Sequence, residues 1–112
     1  MKDLFSVRGK VALVTGGSRG IGLMIARGFV ANGAKVYLSA RKRDELDAVK
    51  AELSREGDVV TVPADLSTEA GCNALAAEIA RSERALHVLV NNAGTNWGAP
   101  LAEYPDDAWN KV

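Results

Sequence analysis

Hydrophobic and polar positions along this chain follow two alternating rhythms. Short, β-branched apolar runs occur at 11–15, 35–39, 59–62 and 86–90, and between them lie longer segments with apolar residues three and four apart. Apolar runs of four or five residues bounded by turn residues read as buried strands. The longer spacing reads as helices that pack one face. The first helical segment has Ile21, Met24, Ile25 and Phe29 as its expected packing stripe and ends at Asn32-Gly33, residues that tolerate a left-handed backbone. The second is expected over 44–56, with Leu46, Val49 and Leu53 inward and Gly57 closing it. Pro63 stops the third strand. Ser67 is the expected cap of a helix running to about Arg84, with Leu75, Ala76 and Ile79 as its packing face and Cys72 as a small buried hydrophobe. Leu4, Phe5 and Val7 are expected against the sheet edge, and Pro105 with Asp106 and Asp107 reads as a further helix start.

Strands alternating with helices define an α/β domain whose strands pair in parallel through right-handed crossovers. Ligands of such folds bind beyond the carboxyl ends of the strands. Here those ends are Thr15-Gly16, Ala40-Arg41, Asp65-Leu66 and the run Asn91-Asn92-Ala93-Gly94, all polar or glycine-rich. The first continues into Gly16-Gly17-Ser18-Arg19-Gly20-Ile21-Gly22. A glycine turn between a strand and a helix suits a phosphate, because helix-start N–H groups lack partners and the helix dipole favours an anion there. Gly16 would let the chain leave the strand sharply, Gly20 would admit a pyrophosphate, and Gly22 would let the helix lie close on the sheet. The spacing departs from Gly-x-Gly-x-x-Gly, and a plain strand-to-helix connection could use the same residues. No Gly-Lys-Ser or Gly-Lys-Thr follows, which disfavours a P-loop.

Composition narrows the classes. The 112 residues suffice for one core, and 47% hydrophobic with 25% charged residues is ordinary for a soluble domain. Fourteen basic residues balance fourteen acidic ones, which argues against nucleic acid or an anionic membrane as a bulk partner. Cys72 is the lone cysteine, so no intrachain disulfide can form, in keeping with a cytoplasmic location. Residues 1–10 hold no apolar core of signal-peptide length, and no apolar run approaches the roughly 20 residues of a membrane helix.

Taken together, the glycine turn at 15–22, Asp65-Leu66 and Asn91-Asn92-Ala93-Gly94, in that order and at these separations, resemble the short-chain dehydrogenase/reductase family. The resemblance spans essentially all 112 residues. It implies a Rossmann-type doubly wound parallel sheet with strand order 3-2-1-4, truncated after the fourth strand. Residues 1–112 would then be the dinucleotide-binding N-terminal part of a longer single-domain enzyme. By resemblance, Gly16, Ser18, Arg19, Gly20, Ile21 and Gly22 would surround the cofactor phosphates. Asp65 and Leu66 would meet the adenine, and Asn91, Ala93 and Gly94 would pass beneath the ribose next to the nicotinamide. Arg41 follows Ala40, where relatives that prefer NAD carry an acid, so NADP(H) is the expected cofactor.

Within the family the chain is similar to bacterial 3-oxoacyl-(acyl carrier protein) reductases, including a subgroup linked to rhamnolipid synthesis. That similarity implies a small-molecule or acyl-carrier-bound carbonyl substrate and a homo-oligomer of the full-length form. The family's catalytic serine, tyrosine and lysine would fall beyond Val112. Tyr37 and Tyr104 are not in a Tyr-x-x-x-Lys arrangement, and no catalytic residue is assigned. A non-catalytic dinucleotide-binding module is the alternative reading.

Overall fold

The computed structural model describes residues 6–18 and 20–92. Their elements alternate as β1 (Val11–Thr15), α1 (Gly20–Ala31), β2 (Lys35–Ala40), α2 (Arg43–Leu53), β3 (Val59–Pro63), α3 (Glu69–Ser82) and β4 (Val88–Asn91). The strands form one parallel sheet in the order β3-β2-β1-β4, which is the expected Rossmann-type arrangement. Leu4, Phe5, Arg19, Ala93, Gly94, Tyr104 and the helix start at Pro105 lie outside the described residues.

The two-residue period of the strands divides the core between two faces. On one face Val14, Val36, Leu38 and Val59 pack with Ala26 and Val30 of α1 and with Leu46, Val49 and Leu53 of α2. On the other, Val11, Leu13 and Tyr37 pack with Leu75 and Ile79 of α3. Helices on both faces leave β1 buried along its whole length, which explains why it is apolar at successive positions rather than alternating.

Several expectations need correction. The buried stripe of α1 is Gly22, Ala26 and Val30, whereas Ile21 and Met24 are 68% and 72% exposed. Small residues face the sheet because α1 must come close to it, and the larger apolar residues are displaced to the flank and the outside. Helix α2 begins one residue earlier than expected and ends at Leu53. Gly57 follows in a turn without a left-handed backbone. Its lack of a side chain matters because a Cβ there would sit 2.9 Å from Cγ1 of Val30. By contrast, Gly33 has φ +89° and ends α1 as expected.

Thr68, not Ser67, caps α3: its side chain accepts from the Gly71 N–H at 3.0 Å, while Ser67 is taken up by Asp65. Helix α3 ends at Ser82. Leu75 and Ile79 are buried, but Ala76 and Cys72 are exposed, so the packing face is narrower than the apolar count suggests. Strand β4 starts at Val88 rather than at residue 86. His87 instead spans the entry to β1, accepting from the Val11 N–H through Nδ1 at 2.9 Å and donating its own N–H to the Val11 carbonyl at 2.9 Å.

A polar cluster fastens α3 to the sheet. The Tyr37 hydroxyl donates to Oε2 of Glu83 at 2.7 Å, and Lys35 pairs with the same carboxylate. The hydrogen bond from Lys35 holds the Glu83 carboxyl below its usual range and raises Lys35 in return. Burial, then the Glu83 contact, raises Tyr37. All three therefore keep their neutral-pH forms.

Candidate functional site

The register brings the carboxyl ends of the strands into one row. Thr15 lies beside Ser39 and Asn91, and Ala40 lies beside Pro63. Two backbone bonds tie the segments leaving this edge: the Gly16 N–H donates to the Ser39 carbonyl at 2.8 Å, and the Ala64 N–H to the Ala40 carbonyl at 3.0 Å. The glycine turn rises from β1 here. Gly16 and Gly20 have φ +66° and +62°, a region that L side chains rarely adopt. Among the described residues, a Cβ on Gly20 would meet nothing within 4 Å, so none of them fills the space at the start of α1. The first turn of α1 carries no acidic residue that would complement the helix dipole from within the helix.

The other two glycines of the turn are constrained by contact. A Cβ on Gly22 would lie 2.4 Å from the Gly16 carbonyl oxygen and 2.6 Å from Nδ2 of Asn92. Its close approach is thus to the turn and the end of β4, rather than to the sheet face. Gly17, which sequence reasoning did not single out, would place a Cβ 2.5 Å from Cδ2 of Leu38. The signal was available in the unbroken Gly16-Gly17 pair, but its partner on β2 is a tertiary fact.

Thr15 and Asn92, which the sequence places at strand ends without a role of their own, brace the turn. The Thr15 hydroxyl donates toward the Val90 carbonyl and Oδ1 of Asn91, both at 3.3 Å, and accepts the Asn92 N–H at 3.0 Å. Asn92 in turn donates through Nδ2 to the Gly16 carbonyl at 3.4 Å. Asn91, an expected site residue, therefore has a structural partner in β1. The side chains of Thr15 and Asn92 hold the ends of β1 and β4 in one arrangement beneath the glycine turn.

On the β2–β3 side, Arg41 is exposed at the end of β2. Asp65 is exposed and accepts from the Ser67 hydroxyl at 2.6 Å and the Ser67 N–H at 3.0 Å. These two bonds, with the charge of Arg41 adding to them, hold the Asp65 carboxyl below its usual range. It remains an ionised acceptor at neutral pH. Leu66 and Asn91 line the upper end of an apolar groove of about 490 Å³ between α3 and β4, together with Leu13, Leu75 and Leu89. Ser18 donates to Oε2 of Glu45 at 3.3 Å, joining the glycine turn to the first turn of α2. Ile21 is exposed at the start of α1. The structure thus gathers Gly16, Ser18, Gly20, Ile21, Gly22, Arg41, Asp65, Leu66 and Asn91 along one edge, whereas Arg19, Ala93 and Gly94 lie outside the described residues.

This edge fits a dinucleotide. The open, acid-free helix start suits a pyrophosphate, an ionised Asp65 can accept from an amino group, and Ala40 leaves the end of β2 without an acid. The Oγ of Ser39 is buried and has no hydrogen-bond partner among the described residues, which leaves one unsatisfied hydroxyl in the row below Ala40. Among the described residues, no helix is long and apolar enough to cross a membrane.

Comparison with known proteins bears on the whole chain. The profile of the family described as short chain dehydrogenase matches residues 10–112. The Rhamnolipids biosynthesis 3-oxoacyl-[acyl-carrier-protein] reductase of Pseudomonas aeruginosa is 49% identical over 112 residues, covering 100% of this chain and 44% of that protein. Gluconate 5-dehydrogenase of Gluconobacter oxydans is 38% identical over 111 residues, covering 98% of this chain and 43% of its own length. Among solved structures, the Pseudomonas aeruginosa RhlG/NADP active-site complex superposes with a TM-score of 0.87 at 49% identity, covering 100% of this chain and 44% of that one. The L-sorbose reductase of Gluconobacter frateurii, solved with NADPH and L-sorbose, superposes with a TM-score of 0.86 at 37% identity over 94% of this chain and 41% of that one. The chain thus spans less than half the length of these relatives. With the glycine turn, the sheet order and the strand-end motifs in agreement, the chain belongs to the short chain dehydrogenase family.

Proposed function

We propose that these residues form the cofactor-binding part of an NADPH-dependent reductase that converts a carbonyl to a hydroxyl. The observation that carries the reading is the start of α1, with no acid in its first turn, at the same sheet edge as Arg41, with Ala40 where an acid would hold an unphosphorylated ribose. The N–H groups at the start of α1 and the turn Gly16, Ser18, Gly20, Ile21 and Gly22 would hold the pyrophosphate, with Arg19 and Arg41 directed to the 2′-phosphate. Arginine pairs well with phosphate oxygens. Asp65 would accept from the adenine amino group beside Leu66, and Asn91, Ala93 and Gly94 would support the nicotinamide ribose. The bound cofactor supplies hydride, and the task of this chain is to fix its position and orientation against the substrate.

The substrate favoured is a 3-oxoacyl thioester on an acyl carrier, because the reductase that shares 49% of its residues over this chain is named for that reaction. We read residues 1–112 as the N-terminal part of a single-domain enzyme that works as a homo-oligomer in the cytoplasm. Arg41→Ala tests the cofactor reading. A hydrogen bond to a charged group contributes roughly 1.5–3 kcal/mol, so NADPH binding should weaken about ten- to a hundredfold with NADH nearly unchanged. Equal losses for both cofactors in a fluorescence titration would refute it.

A further inference from the structure

The loop between β3 and α3 holds its carboxylate by one oxygen and leaves the other for a ligand. Oδ1 of Asp65 accepts both the Ser67 hydroxyl at 2.6 Å and the Ser67 N–H at 3.0 Å. Among the described residues, Oδ2 accepts no hydrogen bond. The backbone around it is fixed as well. The Thr68 hydroxyl donates to the Asp65 carbonyl at 3.3 Å, and the Cys72 thiol donates to the Leu66 carbonyl at 3.5 Å. A Cβ on Gly71 would overlap the Asp65 carbonyl oxygen, so only glycine lets the first turn of α3 lie this close to the loop. Leu66 packs on the core at the α3 face of the sheet. The loop is thus seated on the start of α3 through its backbone, and its exposed carboxylate is held through Ser67.

We propose that Ser67 is a positioning residue for the cofactor: by holding Oδ1 it fixes the Asp65 carboxylate and leaves Oδ2 as the acceptor offered to the adenine amino group. The inference rests on the reading of Asp65 given above. An exposed carboxylate free to turn about its side-chain bonds loses that freedom when a ligand binds, and the loss subtracts from affinity. Ser67 removes the freedom beforehand. Its two bonds also favour the charged form of Asp65, which is the form that accepts from an amino group. A base with a carbonyl in place of that amino group would set oxygen against oxygen. The fixed carboxylate therefore makes this subsite selective for adenine rather than merely receptive to a flat ring.

The test compares dissociation constants for NADPH and for its hypoxanthine analogue, in which a carbonyl replaces the adenine amino group. Equilibrium fluorescence titration is run on the natural polypeptide that carries this chain and on its Ser67→Ala variant, which keeps the Thr68 cap of α3. The unsubstituted protein should bind NADPH about ten- to a hundredfold more tightly than the analogue. Ser67→Ala retains the N–H bond to Asp65 and loses the hydroxyl bond. It should weaken NADPH about three- to tenfold and the analogue less than about twofold. Ser67→Thr, which keeps a hydroxyl, should restore the original ratio. In Ser67→Ala the loss of NADPH affinity in acid should also begin at higher pH, because the Ser67 hydroxyl contributes most to lowering the Asp65 carboxyl. A role in folding alone would not move that limb. An unchanged ratio in Ser67→Ala, or equal weakening of both cofactors, would overturn the proposal and leave Asp65 as the adenine contact. Equal affinity of the unsubstituted protein for NADPH and the analogue would overturn the reading of Asp65 itself, and the role of Ser67 with it.

Discussion

Replacing Gly22 by alanine brings a Cβ to 2.4 Å from the Gly16 carbonyl oxygen and 2.6 Å from Nδ2 of Asn92. Neither neighbour is the far end of a flexible chain: one is backbone, and the other is the short amide that donates to that same carbonyl. Restoring ordinary contact requires the glycine turn to move by about 1 Å away from α1. Overpacking of this kind costs about 1–3 kcal/mol, partly offset by about 0.5–1 kcal/mol because alanine is the better helix former. The expected net loss is about 1–2 kcal/mol of stability. NADPH affinity should fall by about tenfold, since each 1.4 kcal/mol is tenfold and the displaced segment is the proposed phosphate cradle. Gly28→Ala is the internal control. It lies in the same helix, and among the described residues a Cβ there meets nothing within 4 Å, so it should stabilise by about 0.5–1 kcal/mol and leave binding unchanged. Urea unfolding and cofactor titration on both variants decide the matter. A Gly22→Ala protein as stable and as tight-binding as the Gly28→Ala protein would refute the steric argument.

Two further predictions concern the start of α3 and the fastening of its end. Thr68→Ala removes the cap and should cost about 1 kcal/mol in urea unfolding. Ser67→Ala should cost less and, by removing the bond that contributes most to lowering the Asp65 carboxyl, should raise its titration midpoint in an NMR pH series. In the cluster at the end of α3, Lys35 and Tyr37 are raised and Glu83 is lowered. Raised groups stabilise the fold below their unfolded values and lose that contribution as pH climbs through the folded ones. The lowered carboxyl contributes above its unfolded value and loses that as pH falls. The contribution of this cluster to stability should therefore be level between about 4.5 and 10, the ordinary values of the carboxyl and the phenol, and decline on both sides. Melting curves across pH test this, and Tyr37→Phe should lessen the alkaline decline. A variant profile that overlays the unsubstituted one above pH 10 would contradict the role given to Tyr37.

The strands were readable because each is a short apolar run closed by a glycine, a proline or polar residues, and their order followed from the family resemblance. The site's backbone was readable for a similar reason, since glycines at 16, 20 and 22 constrain the chain wherever they fall. Helix faces were harder. In α1 the largest apolar residues suggested the inward stripe, yet the helix packs on the sheet through Ala26 and Val30, with Gly22 buried against the glycine turn, and apolar size alone cannot reveal how close two elements come. The cap of α3 was misplaced by one residue because Asp65, Ser67 and Thr68 all offer capping oxygens. Only the turn geometry settles that Ser67 bonds backward to Asp65 and Thr68 forward to Gly71. The Thr15–Asn92–Gly16 bracing and the Ser18–Glu45 contact join residues 27 to 77 positions apart. No local pattern announces such pairs.

The central claim is that a dinucleotide lies across the carboxyl ends of the strands, with its phosphates over the glycine turn. Amide hydrogen exchange, followed with and without saturating NADPH, tests it most directly. The account predicts slowed exchange at residues 16–22, at Arg41 and at 65–66, with no change at the opposite edge of the sheet around Gly9, Lys35 and Asp58. Unchanged exchange in the glycine turn, or protection confined to the groove between α3 and β4, would contradict it.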